Sequence, residues 1–184
     1  MNKISVVMGV KNEETRNDVS RFRDALRSAR AFADEILVFD DFSTDRTCEI
    51  AEQEFGAVVM KHPLNHDYIE RSNAAMKAAR NDWVFAMDPD EVIPPSMAQE
   101  ILNRDLSGIS AVYFRRLNHV LGFPVYHAGA TTVLPRLRDR RCSFFPKIPG
   151  HPRLEVSGKT VLSEEVILHY SIDRISQAFK KIDF

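Results

Sequence analysis

Three clusters of polar side chains follow short apolar segments of the chain, and their residue types suit the binding of a charged ligand. The clusters are Val10-Lys11-Asn12-Glu13-Glu14, Asp40-Asp41-Phe42-Ser43-Thr44-Asp45 and Asp88-Pro89-Asp90-Glu91. Hard divalent cations prefer carboxylate oxygens, and Mg²⁺ shares its remaining positions with water and substrate phosphates. The third cluster places three carboxylates within four residues, so it predicts a site for a metal ion and a diphosphate.

Five residues in or near these clusters have a ligand-binding or a structural interpretation. The Asp41 carboxylate can accept a hydrogen bond from a base N–H or a ribose hydroxyl, whereas Ser43 lies where it can cap the next helix. Lys11 and Arg71 are candidates for phosphate contact, although lone basic residues are usually plain surface. His169 follows an apolar segment at 166–168, where a neutral imidazole is either a metal ligand or a packed core residue.

The elements that must position these clusters alternate along the first half of the chain. Apolar segments predict strands at 4–9, 36–39, 57–60 and 83–87, and the spacing of apolar residues predicts helices at 17–32, 43–56 and 69–79. Strands of this kind, alternating with helices, indicate a mostly parallel sheet covered on both faces. Ligands bind at the carboxyl ends of such strands, so we expect the three clusters to share one edge.

The second half of the chain, after Pro94-Pro95, has a different pattern. A short helix is predicted at 97–102, followed by strands at 111–116, 131–137, 141–145, 160–162 and 166–170 and a closing amphipathic helix at 173–182. We therefore predict a single α/β domain over residues 1–184, with a β-rich second half.

Composition excludes several other classes of protein. The chain has 184 residues, 44% of them hydrophobic, which suits one globular domain rather than disorder or a fibre. Its apolar segments fall far short of the roughly 20 residues that span a bilayer, and no signal-peptide pattern is present, so a cytoplasmic location is expected. Cys48 and Cys142 lack paired-ligand spacing. We expect no nucleic-acid partner.

The motifs together resemble glycosyltransferase family 2, the inverting nucleotide-sugar transferases of the GT-A fold. Residues 4–14 resemble the family's opening strand and KNEE loop, residues 40–47 its DDGSTDGT segment, residues 81–91 its GDWVLxLDADE stretch, and residues 167–171 its LLHYSY strand. In the second motif, Phe42 and Arg46 replace glycines. The resemblance implies a GT-A-like, Rossmann-type sheet flanked by helices, and is strongest to the lipopolysaccharide core subgroup of cell-envelope biosynthesis.

The resemblance also implies roles for the polar clusters. Asp41 would bind the base, Asp88 the ribose or diphosphate, and Asp90 a divalent cation, Mn²⁺ or Mg²⁺, with His169 as a further metal or diphosphate contact. The loop residues Val10, Lys11, Asn12 and Glu13 would flank the nucleotide, with Arg71 nearby. Residues 1–95 would then bind the nucleotide-sugar donor, with a UDP-sugar favoured, and residues 96–184 would face a glycan or glycolipid acceptor.

The general base is the point at which the sequence departs from the family. Residues 150–156 resemble its VHExxEV segment, but Pro152 stands where a Glu is expected. Glu155, His151 and Glu91 remain candidates for the carboxylate or imidazole that inversion requires. The alternative is a catalytically inactive nucleotide-sugar-binding protein of the same fold. A phosphoacceptor receiver domain is disfavoured, because a whole strand and helix precede the acidic pair Asp40-Asp41.

The two halves of the chain carry opposite charge. Residues 1–95 have 12 Lys and Arg against 18 Asp and Glu, and residues 96–184 have 13 against 8. Between 115 and 159, nine basic residues face two acidic ones: Arg115, Arg116, Arg136, Arg138, Arg140, Arg141, Lys147, Arg153 and Lys159 against Asp139 and Glu155. This region is either an acceptor face that meets an anionic glycolipid or the inner membrane surface, or a set of solvated strand faces. Because family members usually continue beyond a closing helix, we expect a truncated or minimal form.

Overall fold

A computed structural model describes residues 1–16, 19–62, 68–126, 131–146 and 154–172 of the chain. Its helices are α1 Glu13–Arg16, α2 Val19–Arg30, α3 Thr47–Glu49 with a π-helical continuation at Ile50–Glu54, α4 Tyr68–Ala78 and α5 Pro95–Asn103. Its strands are β1 Ile4–Val10, β2 Glu35–Asp40, β3 Val58–Lys61, β4 Trp83–Met87, β5 Glu91–Val92, β6 Ala111–Val120, β7 Phe123–Pro124, β8 Thr131–Asp139, β9 Ser143–Phe144, β10 Glu155–Val156 and β11 Thr160–Ile172.

One curled sheet runs through both halves of the chain in the order β3-β2-β1-β4-β8-β6-β11-β5, with β7 paired to β6. The first four strands are parallel, as predicted. Strand β8 runs antiparallel to β4 and joins the halves. Because Val10 pairs with Asp40 and Met8 with Met87, the polar clusters after β1, β2 and β4 lie along one edge of the sheet.

The C-terminal strands differ from the sequence-based prediction. The predicted strands 160–162 and 166–170 form one strand, β11, which carries an irregularity between Leu162 and Val166 in its pairing with β6. The predicted strand 141–145 is reduced to β9, which pairs with β10 outside the main sheet. Strand β5 was missed, because two residues carry no periodicity; the predicted helix at 173–182 lies outside the described residues.

Helices cover both faces of the sheet because their apolar residues recur at helical spacing. Helix α2 buries Phe22, Leu26 and Ala29 against one face, together with Met97 and Ile101 of α5. On the opposite face, Ala75 and Met76 of α4, together with Ala79 directly after it, pack on alternate residues of β1, β2 and β4. None of the helices in the described ranges is long and apolar enough to cross a membrane.

Phe85 of the central strand β4 provides a test of this core. Its side chain is fully buried, with ring centroids 5.2 Å from Phe32 and 5.9 Å from Phe114. We expect Phe85→Ala to lower the free energy of unfolding by about 3–5 kcal/mol, because it removes apolar burial and leaves a cavity. Phe123→Ala, at a ring that is 74% exposed, is the control and should change it by less than about 0.5 kcal/mol in urea unfolding. Equal losses would contradict this packing.

Candidate active site

The acidic turn after β4 is held by hydrogen bonds within the turn and to β11. The Glu91 N–H donates to the Asp88 carbonyl at 3.1 Å, and the Asp88 N–H donates to Glu91 Oε2 at 3.0 Å. Strand β5 then pairs antiparallel with β11, with Glu91 opposite His169. The Tyr170 N–H donates to the Asp90 carbonyl at 2.9 Å. Backbone pairing therefore brings the acidic turn next to His169.

Two arginines from the second half of the chain neutralise two carboxylates of this turn. Arg136 of β8 donates to Asp88 Oδ2 at 2.7 Å and also to Glu91 Oε1. Arg116 of β6 lies 3.3 Å from Asp88 Oδ2 and 3.4 Å from Glu91 Oε1. The Glu91 side chain is fully buried and that of Arg136 is 10% exposed. Two guanidinium groups and two carboxylates thus balance in charge at the boundary between the halves.

The two carboxylates respond differently to this environment. Burial raises the pKa of Glu91 above its ordinary value, although Arg136 opposes the rise. Burial also acts to raise the pKa of Asp88, but the neighbouring positive charges, above all Arg136 and then Arg116, together outweigh it and lower that pKa. Glu91 has no access to solvent, so it is poorly placed to take a proton from an acceptor hydroxyl. In the structure Glu91 holds the turn to β6 and β8 through Arg116 and Arg136, and its role as a base stays a prediction.

Asp90 and His169, the predicted metal ligands, lie side by side. His169 Nε2 is 3.4 Å from Asp90 Oδ2, and their side chains are 15% and 27% exposed. The other ring nitrogen, Nδ1, lies 2.6 Å from Oδ1 of Asn118. Within the described ranges, no group of three or more His, Cys, Asp or Glu residues is arranged to hold a metal ion. The chain therefore offers one carboxylate and one imidazole at this point.

The loops after β1 and β2 are tied to one another. The Asn12 N–H donates to Ser43 Oγ at 2.9 Å, and Asn12 Oδ1 accepts from the Thr44 N–H at 2.8 Å. Lys11 Nζ lies 2.6 Å from Asp41 Oδ2. Lys11 therefore lies beside the carboxylate that is predicted to bind the base of the nucleotide. The sequence predicted that Ser43 caps a helix. In the structure it bridges the two loops instead.

Two residues of these loops have backbone or burial features that limit their roles. Glu13 is 2% exposed and its carboxylate accepts from the Lys11 N–H at 3.1 Å, so it shapes the loop and is poorly placed to meet a nucleotide directly. Phe42 adopts a φ of 54°, in the left-handed region that glycine favours. This conformation explains why the family motif resembled by residues 40–47 has a glycine there.

An open cleft lies beside the acidic turn. Its walls include Gly9, Asp88 and three arginines, Arg71, Arg136 and Arg138. The Arg71 guanidinium lies against Gly9, with its carbon 3.6 Å from where a Cβ would stand. Arg136 is already paired with Asp88 and Glu91, so Arg71 and Arg138 bring the further guanidinium groups to this wall, and such groups suit an anionic ligand such as a diphosphate.

The remaining predicted residues do not line this cleft or lie outside the residues that the structure describes. Glu155 is exposed on β10, whereas His151 lies outside the described residues, as do Lys147 and Arg153. Val10, at the end of β1, is 1% exposed.

Among the described residues of the predicted basic acceptor face, five arginines pair with carboxylates of this chain. Arg141 pairs with Asp139 at 2.6 Å and with Asp82 at 3.0 Å, Arg140 lies 3.9 Å from Asp82, and Arg115 lies 3.7 Å from Glu164. Arg116 and Arg136 pair with Asp88 and Glu91 of the acidic turn. The excess of basic residues in this region is therefore a poor measure of the charge presented to an acceptor.

Sequence reasoning missed two asparagines beside the site. Asn118 contacts His169, and Asn73 of α4 exchanges two hydrogen bonds with the backbone of Phe145, at 2.8 and 3.0 Å. The latter ties the segment after β9 to the helix that carries Arg71. Neither contact could be read from the sequence, because each depends on a partner more than 50 positions away.

Comparison with solved structures identifies the class of fold. A mannosyltransferase from Pyrobaculum calidifontis in complex with GDP-Man and Mn²⁺ superimposes with a TM-score of 0.62 at 14% identity, over 97% of this chain and 59% of that one. S. aureus TarS 1–349 in complex with UDP-GlcNAc gives a TM-score of 0.60 at 16% identity, over 96% and 60%. The chain therefore has the GT-A glycosyltransferase fold.

Sequence comparison then gives the family. Residues 5–153 match the family described as Glycosyl transferase family 2, and the protein belongs to that family. An uncharacterized glycosyltransferase of Rickettsia conorii is 38% identical over 199 residues, covering 99% of this chain and 67% of the relative. A second, of Rickettsia felis, is 34% identical over 187 residues, covering 92% and 64%. The chain spans about two thirds of the length of these two relatives.

Arg136 allows a test of the charge-balanced turn. We expect Arg136→Met to lower the free energy of unfolding by about 3–5 kcal/mol, because it leaves buried carboxylate charge uncompensated. Adding Glu91→Gln should restore part of that loss. Arg27→Met, at an exposed pair with Asp24, is the control and should cost below about 1 kcal/mol. Denaturant unfolding measures all four proteins, and a small loss for Arg136→Met would contradict the arrangement.

Asp40 predicts a dependence of stability on pH. The residue is fully buried, and its Oδ2 accepts from Lys61 Nζ at 2.6 Å and from the Ser43 N–H at 3.0 Å. Burial acts to raise the pKa of Asp40, but the hydrogen bonds from Lys61 and Ser43 outweigh it, so the pKa lies below its ordinary value. Ionised Asp40 thus stabilises the fold above the unfolded-state pKa of about 3.9, and this contribution disappears as the pH falls through the folded-state pKa.

We expect Lys61→Met to lower the free energy of unfolding near neutral pH by about 1–3 kcal/mol. The difference from the parent protein should shrink as the pH is lowered from about 7 to about 3, because a protonated Asp40 no longer needs the ammonium group. Urea unfolding across this pH range makes the measurement, with Lys3→Met at an exposed position as the control. A difference independent of pH would show that the pair does not act through charge.

Proposed function

We propose that the protein transfers a sugar, with inversion, from a nucleoside-diphosphate sugar to a hydroxyl group of a glycan or glycolipid. The observation that supports this most directly is the shared edge of the sheet. There, Asp41 follows β2, Asp88 and Asp90 follow β4, and an arginine-lined cleft lies alongside. The fold is that of two solved structures, one in complex with GDP-Man and the other with UDP-GlcNAc.

In this proposal the donor lies along the sheet edge from the β2 loop to the acidic turn. Asp41 accepts a hydrogen bond from the base, which we take to be uracil, and Lys11 stands beside it. Asp88, whose side chain is 46% exposed, faces the ribose or diphosphate. Arg71, Arg136 and Arg138 surround the phosphates, and their charge favours the nucleoside diphosphate as a leaving group.

The donor set at Asp90 and His169 fits a divalent cation such as Mn²⁺ or Mg²⁺. A carboxylate oxygen suits Mn²⁺ and Mg²⁺, an imidazole nitrogen is a common ligand of transition metals, and a site with two protein ligands leaves positions for phosphate oxygens and water. When bound, such an ion would neutralise the charge that develops on the leaving diphosphate. The Tyr170 N–H donates to the Asp90 carbonyl, so the backbone at Asp90 is held without the metal.

Inversion requires one general base within hydrogen-bond reach of the acceptor hydroxyl. Because Glu91 is buried and engaged by Arg136, Glu155 and His151 are the candidates we retain. The resemblance to the lipopolysaccharide core subgroup favours an acceptor of the cell envelope, reached from the cytoplasmic side of the membrane. Exposed basic residues such as Lys159 are the ones left to meet an anionic acceptor there.

Donor binding can be tested by thermal denaturation with a panel of UDP-, GDP-, CDP- and ADP-sugars, with and without Mn²⁺. A ligand that binds only the native state raises the melting temperature by mass action, so we expect a shift with one nucleotide class. Asp41→Ala should abolish that shift, and Asp90→Ala should abolish only the part that depends on Mn²⁺. Asp24→Ala, at an exposed carboxylate on α2, should behave like the parent protein.

The same panel separates an enzyme from an inactive binding protein. Release of free nucleoside diphosphate from the stabilising donor, in the presence of glycan acceptors, is expected if transfer occurs. Stabilisation by a donor without turnover on any acceptor or on water would favour the inactive binder. No shift with any nucleotide sugar would contradict the proposed donor site itself.

A further inference from the structure

Asn118 is the neighbour of His169 in the sheet. Strands β6 and β11 are parallel with Asn118 opposite His169, and β11 is antiparallel to β5 with His169 opposite Glu91. Residues paired in register present their side chains on the same face of a sheet. The sheet itself therefore places the Asn118 amide against the His169 ring, on the side of the sheet that carries the acidic turn.

The contact between these two side chains selects one form of the imidazole. His169 Nδ1 lies 2.6 Å from Asn118 Oδ1, and an amide oxygen can only accept a hydrogen bond. Nδ1 therefore carries the hydrogen. In a neutral ring the other nitrogen, Nε2, then has a lone pair, and this is the form in which an imidazole binds a metal.

That lone pair faces a carboxylate oxygen. Nε2 is 3.4 Å from Asp90 Oδ2, which is longer than the roughly 2.7–3.2 Å of an N–H···O hydrogen bond. Two acceptor atoms that face each other in this way need a positive charge between them, which either a proton on Nε2 or a divalent cation bound by both atoms supplies. The proposal is that in the donor-bound protein this charge is the divalent cation.

We propose that Asn118 is a positioning residue for the metal site: its amide oxygen fixes His169 in the Nδ1–H form, so that Nε2 and Asp90 Oδ2 together bind a divalent cation. The proposal rests on the metal-assisted donor site described above and adds to it a residue that touches neither the metal nor the donor. Partners of this kind commonly hold a metal-binding histidine, and their loss typically weakens metal affinity by about 10–100-fold.

The test measures Mn²⁺ binding to the full chain in the presence of UDP. The electron paramagnetic resonance signal of free Mn²⁺ reports how much of the ion is unbound. We expect Asn118→Leu to weaken Mn²⁺ binding about 10–100-fold, while Asn118→Asp, which keeps the acceptor oxygen, stays within a few-fold of the parent protein. Asn103→Leu, at an exposed residue of α5, is the matched control. UDP binding without metal should be unchanged in every variant. This control would show that the fold and the binding site for the nucleotide base are intact.

A second measurement reads the ring directly. In ¹⁵N-labelled, metal-free protein, we expect His169 to show a protonated Nδ1 and an unprotonated Nε2, and the Asn118→Leu variant to show a mixture or the opposite form. Mn²⁺ affinity unchanged by Asn118→Leu, or lost equally with Asn118→Asp, would overturn the proposal while leaving the donor site standing. If the parent protein with UDP binds no Mn²⁺ at all, both the metal-assisted part of the function and this proposal fail.

Discussion

The ion pairs between Glu91, Asp88 and the two guanidinium groups of Arg136 and Arg116 are the interaction on which the rest of the site depends. Glu91 is buried without access to solvent, and a charge in that position is tolerated only when it is paired and hydrogen-bonded. The pairing fixes the acidic turn against β6 and β8. Asp90 lies within that turn and His169 is opposite Glu91, so the separation of the proposed metal ligands follows from it.

This interaction also changes the meaning of the charge difference between the halves. The excess of acid in residues 1–95 and of base in residues 96–184 suggested two surfaces for two substrates. In the structure, Arg116 and Arg136 cross the boundary and neutralise Asp88 and Glu91. Much of the asymmetry is therefore internal to the fold, and it helps to hold the two halves in one sheet.

The sequence predicted those parts of the fold and site that depend on local pattern. The strands β1, β2 and β4 and the polar clusters that follow them are apparent because apolar segments and strand ends are features of neighbouring residues. The roles of Glu91 and Ser43 were not, because they depend on contacts with Arg136 and Asn12 that only folding brings close. The role of Glu13 depends on its burial, which the sequence does not show. Asn118 was not visible for the same reason: nothing around it in the chain distinguishes it from a surface asparagine.

The position of β11 has a consequence for how the protein reaches its native state. His169 and Asp90 come together through the pairing of β11 with β5, two segments separated by a large part of the chain. Contacts between residues so distant in sequence close large loops, and they form slowly and late in folding. A polypeptide emerging from the ribosome would complete strands β1 to β4 first, and the proposed metal site would form only after β11 has been synthesised and has docked.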